Sequence, residues 1–245
     1  MQTQQIVASG LAALLFAATF LGGDRVHPFH SLIRDRRTVI SIGAGIAIAY
    51  VFVHAMPELS DARRVFAASV SRPLRYEGMA IYFFSLVGFL VFYGLDHLRK
   101  RLRRAGDPGR AGTAFKIQVG GFAVYVWQMA YLLVHNLEDT STSIGLFALS
   151  ISVHFLGVDN ALREEHGEAY VRIGRYVLAA AALFGWGVGL LVPLPQMAVA
   201  MLVAFVSGAV IMNSSIMELP TESDGQFLPF MWGGLIYGLI LMPFG

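Results

Sequence analysis

In the stretch LLVHNLED, His135 and Asp139 stand four residues apart and Asn136 and Asp139 three apart, so in a helix all three project from nearly one face. An imidazole and a carboxylate one turn apart suit zinc or a related transition metal, and the amide oxygen beside them adds a harder ligand. His54 and Glu58 in YVFVHAMPEL repeat the four-residue spacing across Pro57. His154 and Asp159 in SVHFLGVDN, and Glu218 in SSIMELP, are further ionisable groups inside or at the edge of apolar runs. Such groups are costly at membrane depth, so they pair, line a wet cavity or hold an ion. Plainer readings stay open beside these: NLEDTSTS also suits the cap and turn at a helix end, and His154 also suits a buried imidazole bonded to backbone or serine.

The chain has no cysteine, which excludes disulfides, thiolate zinc sites and cysteine nucleophiles together. A metal would be held by His, Asp, Glu, Asn or Met. No P-loop, HExxH, GxSxG or Ser-His-Asp order occurs, so neither nucleotide-driven work nor the common hydrolase chemistries have their signatures here. His27, His30, His97 and His166 fall in loops or at helix ends and receive no role.

The elements that must position these groups are membrane helices. Hydrophobic residues make up 56% of the 245 positions and charged ones 14%, with a mean hydropathy of +0.61. Those values belong to an all-α integral membrane protein rather than a soluble domain. About 20 apolar residues cross a bilayer, and eight such runs are expected, at 4–22, 38–56, 78–96, 117–138, 142–161, 175–193, 197–217 and 227–244. One polytopic domain, 1–245, is expected. The loops after the first, third and fifth runs hold 14 of the 18 basic residues, seven of them within a basic loop at about 97–116. The positive-inside rule then puts both termini outside and that loop in the cytoplasm. The small net charge of +2 and its placement beside apolar runs exclude nucleic acid as a partner.

A short turn joins the fourth and fifth runs, and longer loops follow the second and third, which gives a 3+2+3 grouping. VHAMPELSD at the end of the second run is matched by SSIMELPTESD at the end of the seventh. On the assigned topology these two helices run in opposite directions, so if helices one to three and six to eight are repeats they are inverted ones, an arrangement that transporters use; a chance likeness of two short strings stays open beside it.

Eight spans, outside termini, a long third loop and polar motifs on helices four and five together resemble the ZIP family of divalent metal transporters, of which the chain looks like a divergent member or relative. HAMPEL resembles the HxxPE-like end of the family's second helix and AFVSGAVIMNSSIMELP its seventh. HNLED resembles the HNxxD/E motif, which implies metal ligands at His135, Asn136 and Asp139; His154 matches the first position of the helix-five motif. The resemblance implies divalent cation transport, zinc first, without nucleotide.

An antiparallel hairpin turning near Thr140 leaves His154 about 13 Å further along than the residue facing His135, at 1.5 Å per residue. The groups therefore divide by depth. His135, Asn136 and Asp139 with His54 and Glu58 form an expected outer metal site, and His154, Asp159 and Glu218 an inward transport path. The expected partners are the lipid bilayer of a bacterial inner membrane, the cation and a second copy in a homodimer. Two alternatives stay open: a non-transporting bundle whose polar groups form a structural or partner-binding network, and an intramembrane metal-dependent hydrolase.

Overall fold

The computed structural model describes residues 3–26, 36–70, 77–104, 108–135, 141–217 and 225–242. Every regular element among them is helical. In chain order these are α1 (Thr3–Val26), α2 (Arg36–Tyr50, a π-helical segment Val51–Ala55, then Met56–Ser69), α3 (Glu77–Arg104) and α4 (Pro108–Leu132). They are followed by α5 (Ser141–His166), α6 (a π-helical segment Tyr170–Gly174, then Arg175–Leu191), α7 (Gln196–Met212, then a π-helical segment Asn213–Met217) and α8 (Phe227–Leu241). Each falls on one of the apolar runs. Five helical stretches are long and apolar enough to cross a membrane, Thr3–Gly23, Ile40–Ser69, Gly78–Arg104, Tyr170–Leu191 and Gln196–Ser215, and α8 is a shorter apolar helix. Leu11, Leu14, Phe83, Leu90, Phe184 and Leu239 are exposed on them, as suits helices that face lipid.

The boundaries differ from the sequence expectation where polar residues continue a helix. The segment 97–116 reads as a loop, yet 97–104 forms the last turns of α3 and 108–116 the first turns of α4. Arginine and lysine are good helix formers, and a helix C-terminus favours cations. Likewise α2 does not stop near Met56. It continues through MPELSDARRVFAAS to Ser69. Proline lacks an N–H and crowds the carbonyl four residues back, and the π segment that ends just before Met56 takes up that misfit, with the Met56 N–H donating to Val51 O. At the other end α4 stops at Leu132, six residues short of the expected end. Between α5 and α6 the chain turns at Gly167, whose φ of +52° is left-handed backbone that glycine adopts without strain.

The chain forms two compact units, and α3 contributes to both. The first comprises Met1–Asp24 and Val91–Pro193. Its centre is an aromatic cluster in which Phe155 of α5 meets Phe16 (5.0 Å between ring centroids) and Phe20 (5.2 Å) of α1 and Tyr125 (5.9 Å) of α4. α4 packs along α6, where Gly185 lies so close to the Trp127 carbonyl that a β-carbon would overlap it. Tyr131 donates to Val192 O (2.9 Å) and the Trp186 indole to Ser9 Oγ (3.2 Å).

The second unit comprises Arg25–Leu90 and Leu194–Gly245. In it Gln196–Met212 packs on Met56–Ser69, while the π segment Asn213–Met217 packs on Arg36–Tyr50, so α2 and α7 run antiparallel. α7 meets α3 backbone to backbone: a β-carbon on Gly208 would overlap the Ser85 carbonyl, and one on Gly88 the Phe205 carbonyl. Small residues permit this approach, which is how apolar helices gain attraction in lipid. The start of α8 is tied to α2 by the Gln226 N–H donating to Ser41 Oγ (2.8 Å) and Thr38 Oγ1 donating to Gln226 Oε1 (3.0 Å).

Candidate functional site

His135 stands past the end of α4, in the turn that follows Leu132. The four-residue spacing to Asp139 reaches a residue outside the described ones. Its ring stacks on Tyr131 (4.8 Å between centroids), and Nε2 is 2.9 Å from the Gly189 carbonyl. A carbonyl only accepts, so Nε2 carries the hydrogen and, in the neutral ring, Nδ1 keeps the lone pair. Asn136 and Asp139 lie outside the described residues, as does Glu218.

His54 and Glu58 belong to the second unit and His135 to the first. His54 sits in the π segment of α2 and stacks beside Tyr50 (5.1 Å); Glu58 is half-buried in the turn that follows. On α7 the π segment opens with Asn213 and Ser214, 3% and 0% exposed. The π segments of α2 and α7 end beside the matched strings, VFVHA before MPEL and NSSIM before ELP. A π turn puts an extra residue into the helix and recurs at functional positions.

In the first unit, buried His154 lies among rings, with Tyr125 at 6.1 Å and Phe155 at 6.2 Å between centroids. Asp159, 2% exposed, accepts a hydrogen bond from Tyr170 Oη (2.6 Å) at Oδ1 and pairs through Oδ2 with Arg163 (3.1 Å), whose guanidinium lies over the Tyr170 ring (5.7 Å). Gly23 of α1 makes room for this group, since a β-carbon there would overlap the Asp159 carboxylate. The carboxylate is thus charge-balanced and bonded at both oxygens. Among the described residues, no three His, Asp or Glu side chains come together as a metal-binding group.

A second polar cluster joins the ends of α3, α4 and α5. Buried Arg99 donates to Asp96 Oδ1 (2.5 and 3.2 Å), to Gln118 Oε1 (3.5 Å) and to Glu165. Lys100 pairs with Asp96 (2.7 Å), Arg103 pairs with Glu165, Gln118 Nε2 donates to Glu165 Oε2 (2.9 Å), and His166 Nε2 is 2.5 Å from Gln118 Oε1. Glu165 and His166 lie past the apolar run of α5. Burial opposes ionisation of Glu165, but the Gln118 amide together with Arg99 and Arg103 outweighs it and holds the carboxyl below its ordinary range. Burial pushes His166 down, and Arg103 and Arg99 act the same way against the opposing pull of Glu165. In the sequence His166 has no assigned role, and Arg99 and Arg103 read as topology signals. Only the four-residue spacing of Asp96 and Lys100 is a local cue to this cluster.

No protein-family model matches the chain, and no curated protein matches it. The described residues thus hold a turn histidine oriented by a backbone carbonyl, a carboxylate neutralised within its own unit and a pair of π segments bearing polar side chains.

Proposed function

We propose that the chain is a ZIP-like membrane protein that binds a divalent cation, zinc foremost, and carries it across the bilayer, with both termini outside and the segment 97–116 cytoplasmic. The supporting observation is His135: its Nε2–H is spent on the Gly189 carbonyl, which fixes the ring and leaves Nδ1 as the nitrogen a metal would use. Metal-ligating histidines are commonly oriented in this way by a carbonyl behind them. Asn136 and Asp139 adjoin it in the chain as further oxygen ligands, and His54 and Glu58 are the candidates from α2. Zinc here is cargo. His154, Asp159 and Glu218 form the proposed path.

A specific observation favours a second reading, in which the bundle does not transport and its polar groups hold helices together. Asp159 is saturated by Tyr170 and Arg163, and a carboxylate so engaged offers little to a passing cation. Metal analysis of the purified protein and zinc uptake into proteoliposomes decide between the two. Transport predicts retained zinc and time-dependent uptake, both lost in the His135→Ala, Asp139→Ala double variant. Unchanged stoichiometry in a folded double variant would remove the site, and zinc-free, uptake-inactive wild type would favour the structural bundle.

A further inference from the structure

Hydroxyls in the apolar helices of this chain have a regular way of being satisfied. Thr19, Ser41, Ser152 and Ser207 each donate to the carbonyl four residues earlier, at 2.8, 2.8, 2.6 and 2.9 Å. Ser214, one residue into the π segment of the same helix as Ser207, does not. A π turn adds a residue to the ring, which displaces the carbonyl that the hydroxyl would have used. Ser214 Oγ is completely buried and has no hydrogen-bond partner among the described residues, and the same is true of Nδ2 of its neighbour Asn213, 3% exposed. Two adjacent buried polar side chains without partners among the described residues need an explanation, since native interiors leave such groups unsatisfied only rarely.

Their place in the second unit narrows the explanation. The π segment of α7 packs on Arg36–Tyr50 of α2, and the π segment of α2, which carries His54, packs on Gln196–Met212 of α7. The two irregular segments therefore follow one another along a single antiparallel contact, each set against regular helix of the other element. Close to a membrane interior, polar backbone and side chains of this kind are tolerated where they line a water-filled space.

We infer that the start of the α7 π segment, where it packs on Arg36–Tyr50, is an internal water site, in which water accepts from Asn213 Nδ2 and bonds to the Ser214 hydroxyl. The amide presents hydrogens and the hydroxyl both a hydrogen and lone pairs, and water, which accepts and donates, satisfies both. The site is independent of the zinc reading: it needs no metal, and its test measures none.

Radiolytic hydroxyl-radical labelling of the full chain in lipid nanodiscs, read by mass spectrometry, tests it. Met212 is fully buried and adjoins Asn213; Phe16 and Phe20 are equally buried in the aromatic cluster of the first unit. With rates corrected for intrinsic reactivity, Met212 should label several-fold faster than the two phenylalanines. The Asn213→Leu, Ser214→Ala variant should bring it down to their level, and the milder Ser214→Ala should lower it in part. Equal protection of Met212 and the phenylalanines in wild type overturns the inference. So does Met212 labelling that stays at the wild-type rate in Ser214→Ala or the double variant, whichever folds.

Discussion

Tyr170 donates its hydroxyl hydrogen to Asp159 Oδ1 across 2.6 Å, joining the first turn of α6 to the fifth helix. Both residues are almost wholly buried, and Arg163 completes the charge balance. Tyr170→Phe removes one donor from a buried carboxylate while keeping the ring. The expected loss is about 1.5–3 kcal/mol, the usual range for a hydrogen bond to a charged group. It would appear as a lower thermal midpoint in detergent. A variant as stable as wild type would show that Arg163 alone satisfies Asp159.

Glu165 and His166 give the chain an acid-sensitive end. The folded Glu165 carboxyl is held below its ordinary value, so its contribution is complete above the unfolded value and is lost as pH falls through the folded one. His166 is also pushed down on folding; the unfolded imidazole binds its proton first, so stability declines as pH drops below about 6.5. The two signs agree. Midpoints measured from about pH 8 to pH 4 should fall steadily, with the histidine step first and the carboxylate step later. Glu165→Gln should lower the midpoint at neutral pH and flatten the more acidic part of the profile. A parallel profile, merely displaced, would mean that Glu165 does not carry that step.

Close helix crossing in the second unit makes Gly208 intolerant of even one methyl group. Gly208→Ala places a β-carbon into the Ser85 carbonyl and should cost about 1–3 kcal/mol, the range for overpacking. Gly187→Ala is the matched control, because nothing lies near its β-carbon position, and the change should be neutral or stabilising by up to about 1 kcal/mol. Equal midpoints for the two variants would argue against the α7–α3 contact.

Much of this architecture is legible in the sequence because apolar runs of spanning length must be helical in lipid. All eight runs contain helices, and Pro57 with the charged residues after it marks the place where α2 changes character. Three things could not be read locally. Arg99 meets Glu165 across 66 residues and Gln118 meets His166 across 48, pairings that only tertiary packing creates. The π segments leave no periodic signature, since one extra residue shifts the register without changing composition. The end of α4 at Leu132 depends on Tyr131 reaching Val192 and His135 reaching Gly189, both on the far side of the sequence. For that reason His135 stands in a turn rather than within α4.

His154 is the residue whose role the sequence and the packing weigh differently. By position it matches the helix-five metal motif, yet it is 8% exposed and faces the rings of Tyr125 and Phe155. A zinc ion needs nitrogen or oxygen atoms about 2 Å away on several sides, and aromatic faces supply none. His154→Gln keeps a polar side chain of similar length. It should leave zinc stoichiometry at the wild-type level, whereas His135→Ala should weaken binding by at least the ~10–100-fold typical of losing even a supporting partner of a ligand. Metal titration of both variants at equal folded concentration makes the comparison. Loss of zinc in a folded His154→Gln variant would place a ligand at the middle of α5.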